Sequence, residues 1–254
     1  MNSQQIKKNV QKYYGEIAVS GGSCCEPGSC CEPGSCCEPA GQSAPLTLFA
    51  SPADTTIAEA DLGLSCGSPT QVAVIRPGDT VLDLGSGAGV DVLRAAQITG
   101  PTGHVIGVDM TPAMIDRANT NAANGGFTNV EFRQGEIEAL PVAKDNVDVV
   151  LSNCVINLAP DKARVFGEIH RVLKPGGRFA ISDIVTDGDV PPAMREDATA
   201  WAGCLGGALD REEYLSIVRS AGLVVDEVQA APWGDADRSA GYRFVSATVV
   251  GRKP

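Results

Sequence analysis

Between Thr80 and Ile184, short apolar runs alternate with helical stretches and glycine-bearing turns. That alternation constrains the fold more than any other feature of the chain. Thr80–Leu84, Val105–Val108, Val130–Arg133, Val147–Leu151 and Arg178–Ile184 read as strands. Gly89–Ile98, Pro112–Asn124 and Asp161–Leu173 read as helices. Thr111 starts the second and Gly125-Gly126 stops it; Pro175-Gly176-Gly177 ends the third. Strands that alternate with helices build βαβ units, so the sheet is expected to be parallel and doubly wound, with right-handed crossovers. Val147–Leu151 is apolar throughout, as suits a strand covered on both faces.

The flanks are less regular. Met1–Tyr14 reads as a short polar helix ending at Gly15, and Thr55–Leu62 as another. Ser68 can cap a helix that has Pro69 in its first turn and runs through Ile75, stopping before Pro77-Gly78. Beyond Val185, Pro192–Trp201 and Arg211–Ala221 read as helices. Leu223–Val228 and Arg243–Val249 read as the sheet's last strands, one of them antiparallel. This divides the 254 residues into an N-terminal segment 1–70, a central domain 71–187 and a C-terminal region 188–254.

Charge excludes some functions. With 20 Lys+Arg against 31 Asp+Glu the net charge is −11, which disfavours binding to nucleic acid or an anionic membrane. There is no apolar run of 18 residues to cross a bilayer. Met1–Lys12 is polar and carries no signal-peptide core, so a cytoplasmic location is expected.

Nine cysteines are therefore better read as thiols than as a disulfide framework, and an odd number cannot all pair within one chain. Six lie in a hexapeptide, Gly-Ser-Cys-Cys-Glu-Pro, repeated identically at 22–27, 28–33 and 34–39. The repeat is too short for a solenoid, and its Gly, Ser and Pro content makes residues 20–45 a linker. It reads as a neutral expansion of one pair, as a handle for soft metals or metalloids, or as one functional pair with neutral copies. A redox-active vicinal disulfide is a further reading. Cys66, Cys154 and Cys204 are single, and a single cysteine is by default a small buried hydrophobe.

The segment Asp83-Leu84-Gly85-Ser86-Gly87-Ala88-Gly89 follows the first strand and opens the first helix. Its glycines let the backbone approach a ligand closely. Dinucleotide enzymes carry such loops too, and Asp109 at the end of the second strand, placed to accept ribose hydroxyls, is equally shared. Asp83 discriminates: it would repel a pyrophosphate and attract an ammonium.

At this point the chain resembles the S-adenosylmethionine-dependent methyltransferases. Val81–Gly89 looks like their first motif, and Leu173-Lys174-Pro175-Gly176-Gly177 like the turn before their fifth strand. The resemblance implies a class I Rossmann-like doubly wound α/β sheet with N- and C-terminal additions. It also implies that Gly85 and Gly87 line the methionine part, Asp109 holds the ribose, and Ile137 and Glu138 flank the adenine. Tyr14, Met110 and Asn153 complete the expected cofactor contacts.

The cysteine contexts narrow the resemblance to the arsenite methyltransferases, over nearly the whole chain. They are Tyr13-Tyr14-Gly15, a Cys-Cys pair soon after, Gly-Leu-Ser-Cys-Gly-Ser-Pro at 63–69, Ser-Asn-Cys-Val-Ile-Asn-Leu at 152–158 and Trp-Ala-Gly-Cys-Leu-Gly-Gly-Ala at 201–208. The departure is the tripled Cys-Cys block, where the family has a single pair.

The resemblance implies a monomeric enzyme whose substrates are arsenite and methylarsenite, with S-adenosylmethionine as donor and a thiol reductant as co-substrate. Cys66, Cys154 and Cys204 would be both catalytic residues and As(III) ligands, with residues 188–254 helping to bind arsenic. Thiolates are the preferred ligands of so soft a centre. Three of them leave As(III) a lone pair that can take a methyl group without a general base. Cys66, ahead of a helix N-terminus, is expected to have a lowered thiol pKa. Two other readings stand beside this one: a methyltransferase of a small organic acceptor, and a non-catalytic metalloid-binding protein on a methyltransferase fold.

Overall fold

The computed structural model describes residues 1–20, 57, 60–234 and 241–254. The hexapeptide repeat and the 20–45 linker lie outside the described residues beyond Ser20. Of the expected Thr55–Leu62 helix, Ile57, Ala60, Asp61 and Leu62 are described: the first two are helical, whereas Asp61 and Leu62 are not, so the helix stops short of Leu62.

Seven strands form one sheet: β1 (Thr80–Leu84), β2 (His104–Asp109), β3 (Val130–Gln134), β4 (Val147–Asn153), β5 (Leu173–Asp187), β6 (Val224–Pro232) and β7 (Arg243–Arg252). Their order is β3-β2-β1-β4-β5-β7-β6. The first five pair in parallel, as the alternation predicts. β7 runs antiparallel to both β5 and β6. The order reverses between β1 and β4, and in such sheets the crevice at the carboxyl ends of those strands is where ligands sit.

Side chains alternate across the sheet and are buried on both faces. On one face Leu82 and Leu84 pack with Phe166 and Ile169 of α5 (Lys162–Val172) and with Tyr214 and Val218 of α8 (Arg211–Ser220). On the other, Val81 and Val149 pack with Val92 and Ala96 of α3 (Val90–Thr99). Gly89 enters α3 at φ 95°, and a Cβ there would come within 3.0 Å of the Phe132 ring. Asp161 starts α5 by accepting a hydrogen bond from the Arg164 amide at 2.9 Å.

Several elements depart from the sequence reading. α1 spans Ser3–Ser20 and passes through Gly15, because burying Ile17 and Ala18 against Met114 outweighs glycine's weak helix propensity. Met114 belongs to α4 (Pro112–Asn124), whose bounds match the reading. α2 is a single turn, Pro69–Val72, since Val74 turns to φ 47° well before Pro77. Pro192–Trp201 is two helices, α6 (Pro192–Glu196) and α7 (Ala198–Ala202). Asp197 leaves helical geometry between them and caps α7 by accepting from the Thr199 and Ala200 amides. β5 begins at Leu173, not Arg178, because Gly176 and Gly177 exchange 2.9 Å backbone bonds with Lys253. No helix among the described residues is long and apolar enough to cross a membrane.

Two glycines test the packing. A Cβ at Gly251 would overlap the Val224 carbonyl oxygen and the Phe179 ring, whereas at Gly167, exposed in α5, it meets nothing within 4 Å. Gly251→Ala should cost about 1–3 kcal/mol in chemical denaturation. Gly167→Ala should stabilise by about 0.5–1 kcal/mol.

Candidate active site

At the crevice an open cavity of about 1060 Å³ is lined by Tyr14, Asp83, Gly85, Gly87, Asp109, Met110, Ile137, Glu138 and Asn153. These are all nine residues expected to touch the cofactor. Cys154 lines the same cavity; Cys66 and Cys204 do not.

The glycine loop explains the shape. Gly85 adopts φ 63°, and a Cβ there would overlap the Val155 side chain, so β1 and the loop after β4 meet in direct contact. The Asp109 carboxylate accepts from the Gly87 amide at 3.0 Å and the Thr111 amide at 2.8 Å. Asp83 and Asp91 lie behind the loop, each only 3% exposed. Burial, then the charges of Asp91 and Asp109, holds the Asp83 carboxyl well above its ordinary value. Burial likewise raises Asp91 and Asp109. Ser86 Oγ is a buried polar atom without a hydrogen-bond partner, and Asp91 Oδ1 has only an ion pair with Arg94 at 3.6 Å. Three carboxyls raised chiefly by burial, with the unpartnered Ser86 hydroxyl beside them, fit a ligand that brings a cation and hydrogen-bond donors.

Glu138 is buried and paired with Lys7 of α1, which also reaches Glu136 at 2.7 Å. It is therefore not a solvated surface charge. Tyr14 donates to the Ala202 carbonyl at 3.0 Å and lies 4.0 Å from Cys204 Sγ. One N-terminal helix thus spans the crevice.

Beyond β4 the three single cysteines converge in one buried cluster with Ile184 and Ala208. Cys66 and Cys154 form a disulfide, with Cα atoms 5.7 Å apart. Cys204 is a buried free thiol whose Sγ donates to the Cys154 carbonyl at 2.9 Å. Cys154 and Cys204 have φ of 59° and 63°, left-handed conformations that side chains other than glycine rarely adopt. Strain of this kind persists where the surroundings impose it, commonly at functional sites. The Asn157 side-chain amide donates to the Ile184 and Cys204 carbonyls, and the Cys154 amide donates to the Ser182 carbonyl at 2.8 Å. Asn153 fixes Cys66 by accepting from its amide at 3.1 Å.

Cys66 is buried within the disulfide and carries no thiol to titrate, and the helix after it is one turn long. Cys204 is pushed up to about 12 by burial and then by Asp183. Asp183 lies 1% exposed in mid-strand and is raised to about 7, chiefly by burial. Lys162, also buried, is lowered to about 8 by burial. Its Nζ donates to the Asn157 and Ala159 carbonyls and lies 5.6 Å from the Trp201 ring centre.

Sequence reasoning missed Asp183, Lys162, Asp91, Ser86 and Lys7. Asp183, an acid inside the apolar run Phe179–Val185, carries a visible signal; Lys7 on a polar helix carries none. His104 pairs with Glu131 at 3.3 Å. His170 packs by Gly222, so neither histidine joins the cluster.

A thiol near pKa 12 holds about a thousandfold less thiolate at neutral pH than one at its ordinary 9.0. Cys204 should therefore alkylate far more slowly than an exposed thiol, with a rate still rising above pH 9, as read by mass-spectrometric peptide mapping.

Residues 75–222 match the family model described as a methyltransferase domain. The chain is 45% identical to an arsenite methyltransferase of Halobacterium salinarum over 99% of its own length and 67% of that protein. It is 39% identical to the arsenite methyltransferase of Homo sapiens over 66% of its own length, spanning about half (49%) of that relative. The crystal structure of an arsenic(III) S-adenosylmethionine methyltransferase from Chlamydomonas reinhardtii superposes with a TM-score of 0.67 at 37% identity, covering 78% of this chain and 72% of that one. A family model over more than half the chain, together with relatives this similar over this much of their own length, means that the chain belongs to the S-adenosylmethionine-dependent arsenite methyltransferase family.

Proposed function

We propose that this chain is a cytoplasmic, monomeric arsenite methyltransferase that moves methyl groups from S-adenosylmethionine to As(III) held by Cys66, Cys154 and Cys204, with a thiol reductant as co-substrate. The observation that carries this reading is the convergence of the three cysteines in one buried cluster, with Cys154 shared between that cluster and the cofactor cavity. Thiol chemistry suits a reducing compartment.

S-adenosylmethionine bound in the cavity supplies an electrophilic methyl group on a sulfonium. Asp83 and Asp91 are the carboxyls for its ammonium end. Asp109 accepts from ribose hydroxyls, while Ile137 and Glu138 flank the adenine. Gly85 and Gly87 keep the backbone close, and Tyr14, Met110 and Asn153 close the remaining walls.

The thiol half suits a neutral substrate. When arsenous acid exchanges a hydroxyl for a thiol, the thiol's proton leaves with that hydroxyl as water. No thiolate need be stored, which agrees with a Cys204 held near pKa 12. Three sulfurs leave As(III) one lone pair, and Cys154, common to the cluster and the cavity, would bring that centre beside the cofactor. Methylation there needs positioning rather than a base. It makes arsenic pentavalent. Two sulfurs can then leave as a disulfide, returning two electrons and restoring As(III), after which an external thiol reduces the disulfide. The Cys66–Cys154 bond matches the oxidised state of such a pair.

Cys154→Ser and Cys204→Ser should each abolish arsenite methylation while S-adenosylmethionine binding by calorimetry stays near wild type. Wild-type turnover in Cys154→Ser would refute the reading. Asp109→Ala should weaken S-adenosylmethionine binding by roughly tenfold or more, the loss expected when a charged hydrogen-bond acceptor is removed. Incubation with arsenite, S-adenosylmethionine and a thiol reductant, followed by arsenic speciation, tests the activity itself.

A further inference from the structure

Cys66, Cys154 and Asp183 each bring one ligating atom to a common point, all within 4.8 Å of one another. Cys66 precedes α2, Cys154 follows β4 and Asp183 sits in the middle of β5, so only the fold brings them together. Asp183 is the unexpected member. Arsenic(III) bound by three sulfurs has no use for an oxygen, and burying a carboxyl is costly unless something compensates. Its hydrogen bonds orient it: Tyr214 OH donates to Oδ2 at 3.3 Å and the Ile184 amide to Oδ1 at 3.2 Å. Donors of that kind hold metal-binding carboxylates in place. The nearby cation is Lys162, whose ammonium is attracted by Asp183. Two thiolates and a carboxylate carry three negative charges, which a divalent cation and the Lys162 ammonium balance.

We propose that reduction of the Cys66–Cys154 disulfide creates a site for a soft divalent cation of the zinc–cadmium type, with the two sulfurs and the Asp183 carboxylate as ligands. Both ions accept mixed sulfur and carboxylate sets in tetrahedral geometry. The fourth position falls to water or to Cys204, which packs in the same cluster. An external dithiol supplies two electrons and two protons and becomes a disulfide, leaving two protein thiols. The cation then binds as those thiols release their two protons. Occupancy keeps the pair reduced and denies both sulfurs to arsenite. The site does not depend on the methyltransferase reading.

The test uses the full-length chain with Cys24, Cys25, Cys30, Cys31, Cys36 and Cys37 each changed to serine, leaving the three single cysteines. After anaerobic reduction and removal of the reductant, Cd²⁺ binding is followed by thiolate-to-cadmium charge-transfer absorption, and Zn²⁺ binding by competition with a chromophoric chelator. One equivalent of either should bind. Asp183→Asn should weaken both by roughly tenfold or more, while arsenite binding to the same protein stays near that of the parent. Cys66→Ser should weaken both cation and arsenite binding. Unchanged cadmium affinity in a folded Asp183→Asn protein overturns the proposal, as does an equal loss of cadmium and arsenite binding. If that variant does not fold, cadmium NMR of the parent decides: a mixed sulfur–oxygen shift supports the site and an all-sulfur shift overturns it. Cation binding as described without arsenite methylation would leave the site standing and sink the enzyme reading. Methylation without dependence of cadmium binding on Asp183 would do the reverse.

Discussion

The parallel pairing of β1 with β4 is the constraint on which the rest of the site depends. Val81–Leu84 lie beside Val149–Ser152, and the winding of the sheet reverses between them. The crevice this opens has the Gly85–Gly89 loop on one side and Asn153-Cys154 on the other. Gly85 has no Cβ, so Val155 occupies the space against it. The glycine loop and the loop that carries a thiol are therefore packed together without a gap. In a bimolecular transfer most of the advantage comes from fixing two reactants in contact. Here that is set by a strand pairing and one missing methyl group.

The two halves of the crevice differ electrostatically. Asp83, Asp91 and Asp109 give the cofactor half an excess of negative charge, and burial raises all three carboxyls. A sulfonium with an ammonium relieves that cost. The thiol half is close to neutral: a disulfide, a protonated Cys204, and the opposed Lys162 and Asp183. In the proposed reaction the sulfonium's positive charge passes to arsenic, so it crosses from the first half to the second.

The central fold was legible because each strand and helix there is local in its pattern. Pro112–Asn124 matches the reading at both ends, since Thr111 with Pro112 and the Gly125-Gly126 pair are start and stop signals within the segment itself. Thr80–Leu84 matches for the same reason. The misses have non-local causes. Lys174–Gly177 reads as a turn, yet pairs as strand because Lys253, far away in sequence, supplies its hydrogen bonds. Gly15 reads as a stop, yet α1 continues because Met114 covers Ile17 and Ala18. At the site, the expected residues other than Tyr14 of α1 follow motifs anchored to strand ends, and all nine line the cavity. Lys7, Asp91 and Lys162 follow no motif, and their importance arises from what the fold buries beside them.

Lys7, Gln11 and Tyr14 show how a helix outside the sheet can join the two halves. Spaced four and three residues apart, they share one face of α1. Lys7 pairs with Glu136 and Glu138 on the cofactor side. Gln11 donates to the Met110 carbonyl at 2.9 Å, beside Asp109. Tyr14 bonds the Ala202 carbonyl in the turn that presents Cys204. Three successive turns of one helix thus hold Glu138, the Met110 carbonyl beside Asp109, and the thiol loop. A helix is stiff over that length, so displacing the thiol loop strains Tyr14 and, through α1, the Lys7–Glu138 pair. That pair is buried on the Glu138 side, where breaking an ion pair leaves an uncompensated charge. The polar N-terminal helix is therefore tied by its side chains to both halves of the crevice.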